Sequence, residues 1–300
     1  MLVEILGVLG EVRLVVGARE RNKKLILCLF LRSHSLVAKY ILDVDKSQVQ
    51  FLVGSFDNKM IGVSITCFKN WTERYPGDDF IGKQLIFAGL LKGKCEALEL
   101  IGDYDMVKEI LDTKLCEYKA IVRDFKVVTF HIHWISKLDK IDLKEFNKNM
   151  RIFIDELGIK HVVLHPKDYK KIGKGNFEFK IAVENMSPRR ENDFLNLEEL
   201  NELEENVVID VNHIEEVGEG FLDKQIDKVK VRIVEVHFSV PMNKSLENRP
   251  GGHYPSYESG YNLPKNIPKG VIWISEAIFP KGRMDLVEKE IEVMRDYVEG

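Results

Sequence analysis

From Met60 onward, short apolar runs alternate with helical patterns, and this alternation constrains the fold more than any other feature of the chain. The strand-like runs are IGVSITCF (61–68), CEALELIG (95–102), KVVTFHIHW (126–134), HVVLHP (161–166), FKIAVENM (179–186), VVIDVNH (207–213), VRIVEVHFS (231–239) and VIWISEAIF (271–279). Helical patterns fall at 79–93, 104–113, 142–157, 196–205 and 284–297. A strand, a helix and a further strand imply parallel pairing through a crossover. Eight such strands predict an α/β fold, a closed (β/α)8 barrel of the TIM type. The crossovers after the fourth and seventh runs are weakly helical, which predicts an incomplete ring of helices.

Residues 1–57 have a different texture. VEILGVL, EVRLVVGA, KLILCLFL, LVAKYILDV and VQFLVGS are rich in Val, Ile and Leu and are broken by Gly-Glu, Arg-Asn-Lys and Asp-Lys-Ser. They predict a small β-rich N-terminal appendage, with a helix over 36–42 as the competing reading of one run. The expected division is therefore an appendage over 1–57 and a barrel over 58–300.

A hydrophobic fraction of 45% supplies a core, and a net charge of −4 describes a soluble, mildly acidic chain without a global basic field for nucleic acid. Cys28, Cys67, Cys95 and Cys116 are scattered, with no CxxC pair, and read as packing residues in a reducing, cytoplasmic protein. The run LILCLFL at 25–31 is far shorter than the roughly 18 residues a membrane helix needs, so no membrane partner is expected.

Alternate residues of a strand share a face, so the side chains facing the barrel axis follow from parity. The third strand offers Thr129, His131 and His133; the fourth, Val163 and His165; the fifth, Ala182 and Glu184; the sixth, Val208 and Asp210; the seventh, Glu235 and His237; the eighth, Ile274 and Glu276. His161 begins its run and is expected at the far end of the barrel, uninvolved; His34 belongs to the appendage. Any one of these groups alone reads as a hydrogen-bonded structural residue. Six convergent strand ends carrying imidazoles and carboxylates are different, because such a cluster buried without cations is costly. A divalent ion resolves the conflict, and a His/Asp/Glu set without thiolate suits Zn²⁺ or Mn²⁺.

With V-E-N at Glu184, D-x-x-H at Asp210 and His213, V-H-F-S at His237 and the strand-final Glu276, residues 60–299 resemble the xylose isomerase-like barrels. That superfamily includes sugar isomerases and epimerases and the endonuclease IV group of abasic-site endonucleases. The resemblance implies one divalent ion on Glu184, Asp210, His237 and Glu276. Its endonuclease branch implies further ligands, which map onto His133 or His131, His165, His213 and His253. Two expected aspartates are missing, since Gly251 stands two positions before His253 and Ser239-Val240 follows His237. One or two ions are therefore expected, and a third is not, because too few donors surround His253.

Basic residues follow the strand ends: Lys167, Lys170, Lys171 and Lys174, then Arg189 and Arg190, Lys244 and Arg249, and Lys281 and Arg283. They favour an anionic substrate, a small phosphate-bearing molecule or a nucleic acid, although the same charges also suit ordinary solvated loops. Tyr254 and Tyr257, in GGHYPSYESG, are candidates for a substrate wall. Three functions fit. Glu184, Glu276 and His213 are the candidate catalytic groups, and one function is a phosphoester hydrolase in which one or two metals activate water while arginine and lysine take up developing charge. The second is an isomerase or epimerase in which Glu184 and Glu276 shuttle a proton around one ion. The third is a non-catalytic binding protein that self-associates through its appendage.

Overall fold

The computed structural model describes the chain outside residues 1–7, 10–11, 19–23, 32–35, 44–47, 56–59, 72–79, 134, 136–141, 174, 188–196, 204, 217–220, 230–231, 241–252, 260–265, 269 and 300, with backbone alone over 8–55. The chain divides into two compact units, Met1–Asn58 and Lys59–Gly300. In the first, β1 (Val8–Leu9), β2 (Val12–Ala18), β3 (Lys24–Leu31), β4 (Leu36–Asp43) and β5 (Gln48–Ser55) form an antiparallel sheet in chain order. The run at 36–42 is thus strand β4, paired with β3 and β5 along its length, and the helical alternative is set aside.

In the second unit, β6 (Met60–Ser64), β7 (Ala97–Gly102), β8 (Val127–Ile132), β9 (Ile159–Leu164), β10 (Ile181–Glu184), β11 (Asn206–Asp210), β12 (Ile233–Phe238) and β13 (Ile272–Ser275) close into a parallel barrel. The barrel closes where β13 pairs with β6, so no appendage strand is needed. Its first strand stops earlier than the apolar run suggests. Thr66 donates both its backbone N–H and its hydroxyl to Ser64 Oγ, turning the chain into a 3-10 segment over Ile65–Trp71.

The crossovers carry α1 (Phe80–Leu91), α2 (Tyr104–Glu109), α3 (Leu115–Val122), α4 (Leu143–Leu157), α5 (Pro166–Ile172), α6 (Leu197–Glu202), α7 (Val211–Glu215), α8 (Phe221–Gln225) and α9 (Ser256–Ser259); α10 (Met284–Glu299) follows β13. A π-helical turn, Ile110–Lys114, joins α2 to α3. α5, at seven residues, and α9, at four, are as slight as the sequence implies for the fourth and seventh crossovers. α4 shows why the long helices form where they do. Asp142 caps its start by accepting the N–H groups of Lys144 and Glu145, apolar residues at helical spacing (Phe146, Met150, Phe153, Leu157) are buried, and Gly158 ends it with a φ of 65°. Among the described residues, no helix is long and apolar enough to cross a membrane.

The pleat sorts each strand. Val128, Phe130 and Ile132 of β8 join the main core between barrel and helices. Among the described residues, two small apolar groups lie inside the barrel, Ala97 with Val127, Ile272 and Ile274, and Val163 with Ala182 and Val208. Above them the interior is polar. Cys67 and Cys95 are buried packing residues as expected, but Cys116 is exposed on α3.

Candidate metal centre

The centre is built from the C-terminal ends of β8 to β13 and the turns that follow them, with Glu99 from the middle of β7. On β10 and β11 the geometry is fixed by one side chain. Asn185 donates Nδ2–H to the Asp210 carbonyl at 3.1 Å and accepts the Asp210 N–H at 2.8 Å, adding an amide rung where the strands end. Asp210 in turn caps α7, its Oδ1 accepting the His213 N–H at 2.9 Å. The D-x-x-H spacing is therefore a cap and one helical turn, and it holds Asp210 Oδ2 3.6 Å from His213 Nε2. The β11–β12 register sets Asp210 beside His237.

His253 reaches the site on a loop fastened at three places. Val240 and Tyr254 exchange backbone hydrogen bonds, Ile278 N–H donates to the His253 carbonyl, and buried Glu290 of α10 accepts both the N–H and the hydroxyl of Ser256. Ser239, standing where an aspartate was expected nearby, has its Oγ 2.9 Å from His253 Nδ1. The two tyrosines expected in a substrate wall sit in different surroundings. Tyr254 is 1% exposed, within the packed interior, while Tyr257 packs against the outer core with Lys289 Nζ 4.5 Å over its ring.

Among the described residues, four groups of side chains bring ligand atoms within 4.8 Å of one another: His131, His133 and His165; Glu184, Asp210, His237 and Glu276; Asp210, His213 and His253; and Glu99, His131, His237 and Glu276. All nine histidine and carboxylate residues expected in the site thus fall in these groups. The first three adjoin, with Asp210 common to the second and third. Glu184 Oε2 lies 3.3 Å from His131 Nε2 and 3.6 Å from His165 Nε2, linking the second group to the first. The donor count near His253 differs from the expectation, because Asp210 joins the two histidines there even though position 251 is glycine.

The electrostatics are those of a cluster short of cations. Burial pushes the Glu184 carboxyl up, yet His237 and His131 outweigh it and hold it well below the usual carboxylate range. Burial, reinforced by Glu184 and Glu99 against the opposing pull of His237, drives Glu276 well above that range. His237 is raised well above an ordinary histidine, because Glu99, Glu276 and Glu184 together overcome burial. Desolvation lowers His253 to about 4, so its ring is neutral and able to bind a cation at neutral pH.

Buried Asp210 Oδ2, His213 Nδ1 and His131 Nδ1 make no hydrogen bond. Such orphaned donors and acceptors are rare in folded proteins. They converge here with the right atom types for Zn²⁺ or Mn²⁺, so the residues present fit a divalent ion.

Among the described residues, two outside the expected set, His161 and Glu99, are buried next to its side chains or to their partners. His161 lies within β9 rather than at its start, and its Nε2 is 3.0 Å from Glu235 Oε2, whose other oxygen is 3.0 Å from His237 Nε2. It shares parity with Val163 and His165, so the signal was available once the strand began at Ile159. Glu99, on a strand to which no ligand was assigned, is fully buried 3.0 Å from His237 Nε2. A glutamate alternating with Ala97 and Ile101 was its visible mark.

Of the expected basic residues, Lys167, Lys170 and Lys171 are exposed on α5, and Arg283 pairs with Asp285. Lys174, Arg189, Arg190, Lys244 and Arg249 lie outside the described residues, as do His34 and Gly251. A scan of the chain against protein-family models finds no match, and neither does a search of curated proteins.

Proposed function

We propose that this chain is a metal-dependent phosphoester hydrolase of the endonuclease IV type, acting on an anionic substrate at the C-terminal mouth of the barrel. The observation that carries the reading is the sharing of carboxylates between adjoining ligand groups, with Glu184 facing two and Asp210 belonging to two. A single ion needs no such arrangement, whereas in-line displacement at phosphorus uses neighbouring cations about 3.5 to 4 Å apart. Bound ions would lower the pKa of water and neutralise phosphoryl oxygens.

The chain's own groups would do the rest. Glu184, Asp210, His237 and Glu276 would hold one ion, and His131 or His133 with His165 and Glu184 would hold its neighbour. Asp210 and His213 would orient a water or substrate oxygen near His253. Lys167, Lys170 and Lys171 on α5 would draw in phosphate.

A second reading rests on the contrast between lowered Glu184 and raised Glu276. Carboxylates driven apart in this way suit proton transfer in a one-ion sugar isomerase or epimerase. Zinc titration of the wild-type chain and of His165→Ala, with abasic-site DNA and sugar phosphates as separate substrate panels, tests both. A fall from two or more equivalents by one, with cleavage of abasic-site DNA lost, supports the hydrolase. A single equivalent unchanged by the substitution, with sugar phosphate turnover, refutes it.

A further inference from the structure

The fourth ligand group contains a carboxylate that neither reading uses. Glu99 is fully buried and both its oxygens lack a hydrogen bond, yet it sits between two ligand histidines. Its Oε2 is 3.0 Å from His237 Nε2 and 3.8 Å from His131 Nδ1. The opposite nitrogens of those rings face the ion groups. His237 Nδ1 is 2.9 Å from Glu184 Oε1 and 3.5 Å from Glu276 Oε1, and His131 Nε2 is 3.3 Å from Glu184 Oε2.

A neutral imidazole that gives one nitrogen to a cation keeps its proton on the other, and an acceptor for that proton fixes the ring's orientation and raises its basicity. For His237, Glu99 shares the task with Glu235, which His161 backs from below. For His131 the other nearby acceptor, Glu276 Oε1 at 3.9 Å, is itself a ligand of the neighbouring ion group. Glu99 also falls in a ligand group, with His131, His237 and Glu276, but it is the carboxylate there that lies against both histidine rings, at 3.0 and 3.8 Å.

We propose that Glu99 is a positioning residue that couples two ion pockets, accepting Nε2–H of His237 and Nδ1–H of His131 so that His237 Nδ1 and His131 Nε2 are left for cations. The His131 contact would shorten by about 1 Å to become a hydrogen bond. This inference rests on the reading of the cluster as a metal centre holding ions in both pockets.

The test needs no substrate. The full-length chain, stripped with a chelator, is titrated with Zn²⁺ alone, and the histidine tautomers of the zinc-loaded protein are read from imidazole ¹⁵N shifts. The expected wild-type result is at least two zinc sites, with the proton on Nε2 of His237 and Nδ1 of His131. Glu99→Gln, which retains one weaker acceptor, is expected to weaken both sites by about 10- to 100-fold. Glu235→Gln should weaken only the site containing His237.

Both zinc constants unchanged in Glu99→Gln, or only one of them altered, overturns the coupling. So does a wild-type His131 with its proton on Nε2, a measurement that stands even if Glu99→Gln fails to fold. A wild-type chain that binds no zinc instead overturns the metal-centre reading beneath it.

Discussion

Replacing Asp210 separates the structural work of that residue from its work as a ligand. Its Oδ1 caps α7, while Oδ2 is buried without a hydrogen bond and faces two ligand groups. Asp210→Asn keeps an oxygen for the cap and removes the anionic ligand; Asp210→Ala removes both. Without metal, the asparagine variant should match or exceed the wild type in stability, because it removes the repulsion between Asp210 and the buried carboxylates around it, Glu184 and Glu276 among them, which are 7% exposed or less. The alanine variant should lose about 1 kcal/mol from the missing cap.

With zinc at about 100 times its dissociation constant, a wild-type site gains about 2.7 kcal/mol. If loss of the ligand weakens that site about 100-fold, the same zinc yields only about 0.4 kcal/mol. The difference, about 2.3 kcal/mol, corresponds to a zinc-induced rise in Tm smaller by about 5 to 9 °C for a unit of this size. Thermal unfolding of the three proteins with and without zinc measures every quantity. The reasoning fails if Asp210→Asn retains the full zinc-induced rise, or if without metal it falls as far as Asp210→Ala.

Further outcomes follow from other parts of the barrel. The raised His237 means that the metal-free folded state holds a proton there; its stabilising contribution is complete below the ordinary histidine range and is lost as pH rises through the folded value. Zinc must displace that proton, so apparent affinity should climb with pH across neutrality, and equal affinities at about pH 6 and about pH 8 would contradict it. Gln84→Leu removes the buried amide that donates to the Ile101 carbonyl and accepts its N–H, and should cost about 1 to 3 kcal/mol in urea unfolding. Gly62→Ala would place a methyl 2.3 Å from the Ala97 carbonyl oxygen across the β6–β7 seam, and the same assay should show a loss of about 1 to 3 kcal/mol or more.

The barrel was legible because its signal is repeated. Each strand is a short apolar run with one face turned to helices, and that pattern survives errors of two or three residues at either end, as at Ser64, where a hydroxyl turn stops β6 inside its run. Ligand parity was legible for the same reason, from His131 to Glu276. Glu99 and His161 were missed because their roles depend on depth along the axis. Depth is set by stagger between strands, such as the shift between Val207 and Val208 against β12, which no single strand encodes. Asp210 as a donor beside His253 was hidden similarly, since it needs a loop pinned from α10 by Glu290.

The amide rung from Asn185 and the helix cap on His213 hold Asp210 from both sides. A ligand gripped in this way cannot breathe with the radius of its guest. Calcium prefers oxygens at about 2.3 to 2.6 Å in a loose shell of six to eight, and a seat that cannot widen penalises it. Zinc, content with about 2.0 to 2.2 Å and fewer neighbours, meets no such penalty. Discrimination by ionic size would then be written into the backbone of one strand end rather than into the choice of ligands alone.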